Sequence, residues 1–271
     1  MNIESQVKKA LKQIASKKAK VLVAASGGKD SQSLIYILHK LGYKIEALYI
    51  NLHLGKYSEE CKKAIEELCN KLKVKLHIFN IKDYYGCSMC HIRQSVQSKV
   101  KVSNCMICGV VKKSILNKEA RIKKADYIAT GHNLDDEAQT LFINFLKGNP
   151  ELSLNSGIIS GLVEDKKFIP RIKPLFYVPE KEIRKFAIKQ KIPFIAEKCP
   201  CAKESYRLET RAFLNGFDNK IKDYIVKNLE KVKDKLSGKI KIGKVIYCQL
   251  CGEPCRNKIC KSCELLSEIK N

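Results

Sequence analysis

The sequence predicts an α/β protein: a parallel sheet with crossover helices, followed by a small C-terminal zinc module. Three observations predict it. Short apolar blocks alternate between strand and helix periodicity along residues 3–148. A Gly-rich loop, SGGKDS, joins the first buried strand to a helix. The chain carries 13 cysteines, and eight of them form four CxxC pairs: Cys87/Cys90, Cys105/Cys108, Cys248/Cys251 and Cys260/Cys263.

Residues 3–17 have the spacing of an amphipathic helix. VLVAAS (21–26) reads as a buried strand, and 31–41 as a helix closed by Gly42. KIEALYINL (44–52), a helix over 58–73 and KLHIFNI (75–81) follow. Strand, helix, strand, helix, strand calls for parallel pairing. The EECKKAIEELCNKLK stretch is helical, so Cys61 and Cys69 read as ordinary half-buried residues. Residues 82–104 break the rhythm, being polar with few apolar anchors, and are expected as a long irregular loop. A helix over 106–124, the strand ADYIATGH (125–132) and the helix LDDEAQTLFINFLKG (134–148) come next. Irregular strands and turns are expected over 158–178, a helix opening at Pro179, and two helices within 205–236. The basic stretch SGKIKIGK (237–244) connects a main domain, 1–237, to a module, 238–271.

The length, 271 residues, suits one large domain plus an appendage. No apolar run approaches a membrane span, and the N-terminus has no apolar signal core. A cytoplasmic protein with no membrane partner is expected. The net charge of +24 comes mostly from lysine. A heat-adapted surface would balance lysine with glutamate, so the excess points to a polyanionic partner such as nucleic acid. Thirteen cysteines in a reducing compartment indicate metal or sulfur chemistry rather than disulfides.

In SGGKDS, Gly27 and Gly28 bring backbone N–H groups close to an anion, and the helix start adds favourable partial charge. Ser26 and Ser31 donate hydroxyls, Lys29 adds positive charge and Asp30 offers a Mg²⁺ ligand. The pattern is not GxxxxGK[ST], so a kinase-type or GTPase-type loop is excluded. ATGHNLDDEAQTLFIN (129–144) turns from a strand end into a helix. Gly131, His132 and Asn133 stand where ligands bind in such sheets. Asp135 and Asp136 lie in the first helical turn, as caps or as catalytic groups.

YCQLCGEPCRNKICKSCELL reads CxxC, eight residues, CxxC. That is a structural zinc signature on Cys248, Cys251, Cys260 and Cys263, with Cys255 spare. So small a module draws its folding energy from the metal. Its basic flanks suit an RNA backbone.

The strand followed by SGGKDS resembles the PP-loop ATP pyrophosphatases. NCMICGVVKK (104–113) and EKCPCAKESYRLETRAFLN (197–215) are similar to the CxxCG and Cys-Pro segments of the tRNA thiolases, the TtcA/TtuA group of that family. Five ordered motifs carry the likeness over residues 20–263: SGGKDS, CxxCG, GHNLDDEAQ, PRxKPL and CP. The resemblance implies a Rossmann-like sheet, and ATP bound by residues 26–31 with Gly131, His132 and Asn133. It places adenine beside Ala24, Ala25 and Tyr49 to Asn51. Such enzymes adenylate a substrate oxygen and release pyrophosphate, because AMP makes a nucleobase oxygen a good leaving group. Asp136 is then the polar catalytic group, assisting proton transfer or binding Mg²⁺.

The resemblance further implies a [4Fe–4S] cluster on Cys105, Cys108 and Cys199. Three thiolates leave one iron open for an exchangeable sulfide, which displaces AMP from C2 of a uridine. Lys112, four residues after Cys108, shares its helical face and stabilises charge or orients the base. The tRNA is the implied substrate. The sulfur donor is sulfide, a persulfide carrier or a ubiquitin-like thiocarboxylate, and a homodimer is the usual state of relatives. Cys201 replaces an aromatic residue of relatives and competes with Cys199 as third ligand. Cys87, Cys90 and His91 have no counterpart and suit a redox pair, a metal half-site or a sulfur relay. Relatives carry a cysteine-rich zinc module ahead of the nucleotide loop, whereas the first cysteine here is Cys61. Two other chemistries compete: cluster-free persulfide thiolation, and a ligase or amidotransferase-like adenylation of another substrate. A nucleic-acid-binding zinc protein with an inactive nucleotide fold is the non-enzymatic alternative.

Overall fold

A computed structural model describes residues 2–12, 14–160, 165–202, 206–236 and 245–267. The elements begin with α1 (Ile3–Lys12), β1 (Lys20–Ala25), α2 (Lys29–Lys40), β2 (Lys44–Asn51), α3 (Lys56–Leu72) and β3 (Lys75–Asn80). They continue with α4 (Ile81–Tyr85), α5 (Met89–Gln97), α6 (Asn104–Ile122), β4 (Tyr127–Ala129) and α7 (Leu134–Leu146). A 3-10 turn (Pro150–Asn155), β5 (Ile159–Ser160), β6 (Arg171–Ile172), α8 (Glu180–Lys189), α9 (Tyr206–Asn215) and α10 (Asn219–Leu236) follow. The chain closes with β7 (Ile246–Tyr247), β8 (Pro254–Cys255) and α11 (Lys261–Ser267).

The main sheet has the order β3-β2-β1-β4-β6-β5, parallel throughout except that β5 runs against β6. The expected parallel α/β sheet is therefore present. Alternation along β1 divides the core in two. Val21 and Val23 face a layer built from α1, α2, α3 and α8, with Leu11, Leu34, Ile65 and Ile183 fully enclosed. Leu22 faces the other layer, with Ile92, Ile107, Val111, Ile115 and Leu265. A third cluster, around Leu134, Phe176, Leu214 and Val226, joins α7 to α9 and α10.

Two expectations are corrected. The first helix ends at Lys12 rather than residue 17. The segment 82–104 is not a long irregular loop but carries α5 and the end of α4. Met89, Ile92 and Val96 line one face of α5 and are fully buried, and Ser88 caps it by accepting from the amide of His91. Three apolar anchors across nine residues satisfy a helix of two and a half turns, although charged and polar residues between them hide the period. The basic connector, 237–244, lies outside the described residues. The module beyond it docks on the main body. Leu265 enters the core, Arg121 pairs with Glu253, and Tyr247 donates to Asp165.

Candidate active site

β1 has β2 on one side and β4 on the other, so the chain reverses its course across the sheet at β1. Crevices for ligands open beyond the strand ends at such a point. The SGGKDS loop leaves β1 there. Gly27 has φ +79°, and a Cβ on it would stand 2.8 Å from the Cα of Cys61. Glycine is needed both for the turn and for the contact. The Ser31 hydroxyl accepts from the Ser26 amide at 3.1 Å and donates to the Gly28 carbonyl at 3.1 Å. The Ile195 amide donates to the Gly27 carbonyl at 2.9 Å, holding the loop from below. Lys29 spans Asp30 at 2.9 Å and Glu180 at 2.7 Å. Burial lowers its pKa, but those two carboxylates outweigh burial and leave it raised.

The second motif meets the first. Gly131 lies against the opening turn of α2, where a Cβ would be 2.9 Å from the Ser31 amide nitrogen. Asn133 donates to Asp30 at 3.1 Å and forms a reciprocal cap with Asp136. Asp135 is taken up by structure: it accepts from Lys222 at 2.6 Å and from the Glu180 amide at 2.7 Å, and both members of the Lys222 pair are buried. Asp136 is half-exposed, accepting from the Asn133 amide at 3.4 Å and facing Arg207 at 3.9 Å. Burial raises the pKa of Asp30, Lys29 lowers it, and the carboxylates of Asp136 and Glu180 raise it further. His132 reaches solvent at the cleft and bonds Thr130 at 2.8 Å. The protein mass around its ring still lowers its pKa, opposed by Asp136 and Glu137 and helped by Lys173 and Arg207.

The central cysteines come from two segments, α6 and the turn at 199–201. Cys105 is exposed in the first turn of α6, with Cys108 one turn on and half-buried. Burial pushes the Cys108 thiol up, while Arg93 and Lys112 pull it down and Cys199 and Cys105 add to the rise. The Cys199 thiol is also raised by burial. It accepts from the Cys201 amide, and Arg93 and Lys112 again oppose the rise. Cys201 instead presents its sulfur to Arg93. Burial raises the Cys61 thiol and the charge of Cys199 adds to the rise, so Cys61 lies between the nucleotide loop it packs against and the electrostatic reach of the central cysteines.

At the C-terminus, the ligand sulfurs of Cys248, Cys251, Cys260 and Cys263 all lie within 4.8 Å of one another. Cys251 and Cys260 are 3.6 Å apart, close to the ~3.8 Å edge of a tetrahedron of thiolates around a Zn²⁺-sized ion. Burial opposes the Cys248 thiolate, yet the amides of Cys260, Cys251 and Leu250 overcome it and bring its pKa down to about 6. Cys255 turns away and donates to the Asn257 carbonyl.

A PP-loop domain family matches residues 1–214. The chain belongs to the PP-loop family. Within it, the chain is 36% identical over 254 residues to a tRNA-5-methyluridine(54) 2-sulfurtransferase of Pyrococcus horikoshii, covering 93% of this chain and 79% of the relative. It is 30% identical over 272 residues to the enzyme of the same name from Thermotoga maritima, covering 99% and 88%. Among solved structures, the U34-tRNA thiolase NcsA from Methanococcus maripaludis, solved with its [4Fe–4S] cluster, superimposes with a TM-score of 0.80 at 26% identity, over 97% of this chain and 85% of that one. The NMN synthetase of Francisella tularensis shares the fold at a TM-score of 0.52 and 14% identity.

Residues 26–31 and 131–133 lie together beyond the C-terminal ends of the central strands β1 and β4. Tyr49 is different. Its ring is buried and its hydroxyl donates to the Ser58 carbonyl at 2.8 Å, so only its main chain, beside Ala25 in the neighbouring strand, remains to line an adenine pocket. The sequence reading missed Cys61, which walls the loop, Glu180, which grips Lys29, and Arg93, which is buried beside the central thiols. For Arg93 the one available signal was an arginine on the Met89–Ile92–Val96 helix, three residues after a CxxC.

Proposed function

We propose that the protein is a tRNA-thiolating enzyme that adenylates the C2 oxygen of a uridine with ATP and replaces AMP by sulfur. The observation that carries this reading is proximity: Gly27 packs on Cys61, and Cys61, Cys199, Cys108 and Cys105 lie close enough to feel one another's charge. An adenylating loop and a thiol cluster thus face one base. Lys29, the loop amides and the start of α2 hold the triphosphate. Asp30 and Asp136 repel each other across Asn133, which suits Mg²⁺ between them. The uridine C2 oxygen attacks the α-phosphorus and pyrophosphate leaves. Sulfur then adds at C2, and the C2–O bond to AMP breaks.

Cys105, Cys108 and Cys199 fit an iron–sulfur group. Three thiols from two segments meet around the cations of Arg93 and Lys112, which offset thiolate charge. Cys199 is the third ligand in this reading, with Cys201 two residues on and also beside Arg93. A [4Fe–4S] cluster bound there would supply an iron position for exchangeable sulfur. Lys112 orients the base. The terminal cysteines fit Zn²⁺ by spacing and donor set, and we assign residues 238–271 to a metal-folded module that helps hold tRNA. Similarity to a cluster-bearing U34-tRNA thiolase and to uridine-54 2-sulfurtransferases supports the reaction class.

The test is anaerobic. Protein incubated with ATP, sulfide and unmodified tRNA should yield 2-thiouridine, AMP and pyrophosphate. Iron and acid-labile sulfide should be equal, and lost in Cys105→Ala while zinc stays. Zinc alone in both proteins would overturn the cluster assignment. Pyrophosphate release with no thionucleoside in tRNA would overturn thiolation.

A further inference from the structure

Cys87 and Cys90 take no part in the reaction above. They straddle Ser88, the N-cap of α5. Cys90 is exposed in the first helical turn, and Cys87 packs half-buried on the core layer under the sheet. Arg93 follows one turn later and is only 3% exposed. Its guanidinium donates to the Cys90 sulfur at 3.9 Å and to the Met89 carbonyl at 3.2 Å. The same group contacts the Cys201 sulfur and stands beside Cys108. A buried arginine ordinarily faces a carboxylate. Here the groups that act most strongly on its charge are thiols of Cys108, Cys201 and Cys90. It joins a surface dithiol to the central cysteines. A CxxC at a helix start is a site of thiol–disulfide chemistry.

We propose that Cys87 and Cys90 form a sulfur-entry site that takes the outer sulfur of a persulfide and releases it as hydrosulfide beside the central cysteines. The proposal rests on the thiolation reading. In the first step the Cys90 sulfur attacks the outer sulfur of a donor R–S–SH. The donor S–S bond breaks, R–SH leaves with a proton, and Cys90–S–SH forms. In the second step Cys87 attacks the inner sulfur of that persulfide. A Cys87–Cys90 disulfide forms, and the outer sulfur departs with the electron pair as H₂S. The two thiols have lost two electrons and the transferred sulfur has gained them. A dithiol reductant then reopens the disulfide by exchange. Arg93 places fixed positive charge on the path of the outgoing anion, between Cys90 and Cys108.

The experiment treats the full chain, without oxygen, with glutathione persulfide, and reads three signals: added sulfur on each cysteine by peptide mass, H₂S by trapping, and disulfide by alkylation. Wild type should release H₂S in step with a Cys87–Cys90 disulfide. Cys87→Ser should retain an extra sulfur on Cys90 and release about tenfold less H₂S. Cys90→Ser should take no sulfur at this site. Both variants should still thiolate tRNA from sodium sulfide at the wild-type rate, which also shows that they fold. Sulfur appearing first on Cys105, Cys108 or Cys199, or unchanged H₂S release in Cys90→Ser, would overturn the entry site. Absence of thiolation from sulfide in wild type would instead overturn the function proposed above and leave the H₂S result standing.

Discussion

A Cβ on Gly27 would meet the Cα and Cβ of Cys61 at 2.8 Å, and its φ of +79° is strained for any side chain. Gly27→Ala should therefore cost on the order of 1–3 kcal/mol of stability and move the loop off the triphosphate. Thermal melting and ATP titration check it, and unchanged ATP affinity would contradict the placement. The two adjacent aspartates should separate cleanly. Asp135→Ala leaves Lys222 buried and unpaired, and should destabilise by about 3–5 kcal/mol. Asp136→Asn should melt near wild type yet lower AMP formation on the order of 10²–10³-fold, as loss of an electrostatic group in a closed site does. The sequence shows two carboxylates in one helical turn but not this division of labour. The partners that decide it, Lys222 and Glu180, lie 87 and 45 residues downstream.

At the scale of elements, the crossover units were readable because β1 and α2 each carry a strong period and a glycine turn between them. α5 was not readable. Its three buried anchors are spaced by Cys90, His91, Arg93 and Gln94, and a short helix gives periodicity little length in which to show. The same obscurity hid Arg93, because its charge suggested solvent until the surrounding thiols were placed. The terminal module was readable from cysteine spacing alone, whereas its docking by Leu265 and Arg121–Glu253 was not. That docking makes a prediction. Removing the metal with a chelator, or changing Cys260 to serine, should unfold β7, β8 and α11 and withdraw Leu265 from a core it shares with Leu22 and Ile115. The main domain's melting temperature should fall as well. An unchanged main transition would show the module to be energetically separate.

For the whole molecule, the dominant quantity is a net charge of +24. Binding of tRNA should weaken steeply with salt, on the order of 10³-fold or more between about 50 and about 200 mM, if six or more phosphates are neutralised. A flat salt response in filter binding would exclude a backbone-gripping surface. Both reaction centres are also assembled from distant parts of the chain. The loop at residues 26–31 is held by Ile195 and Glu180, and Cys108 of α6 feels the charge of Cys199. During translation, then, a chain that has not yet emerged as far as residue 199 cannot hold both sets of contacts. A fragment that stops short of Ile195 has the 26–31 loop without the amide that supports it and the α6 thiols without their downstream neighbour.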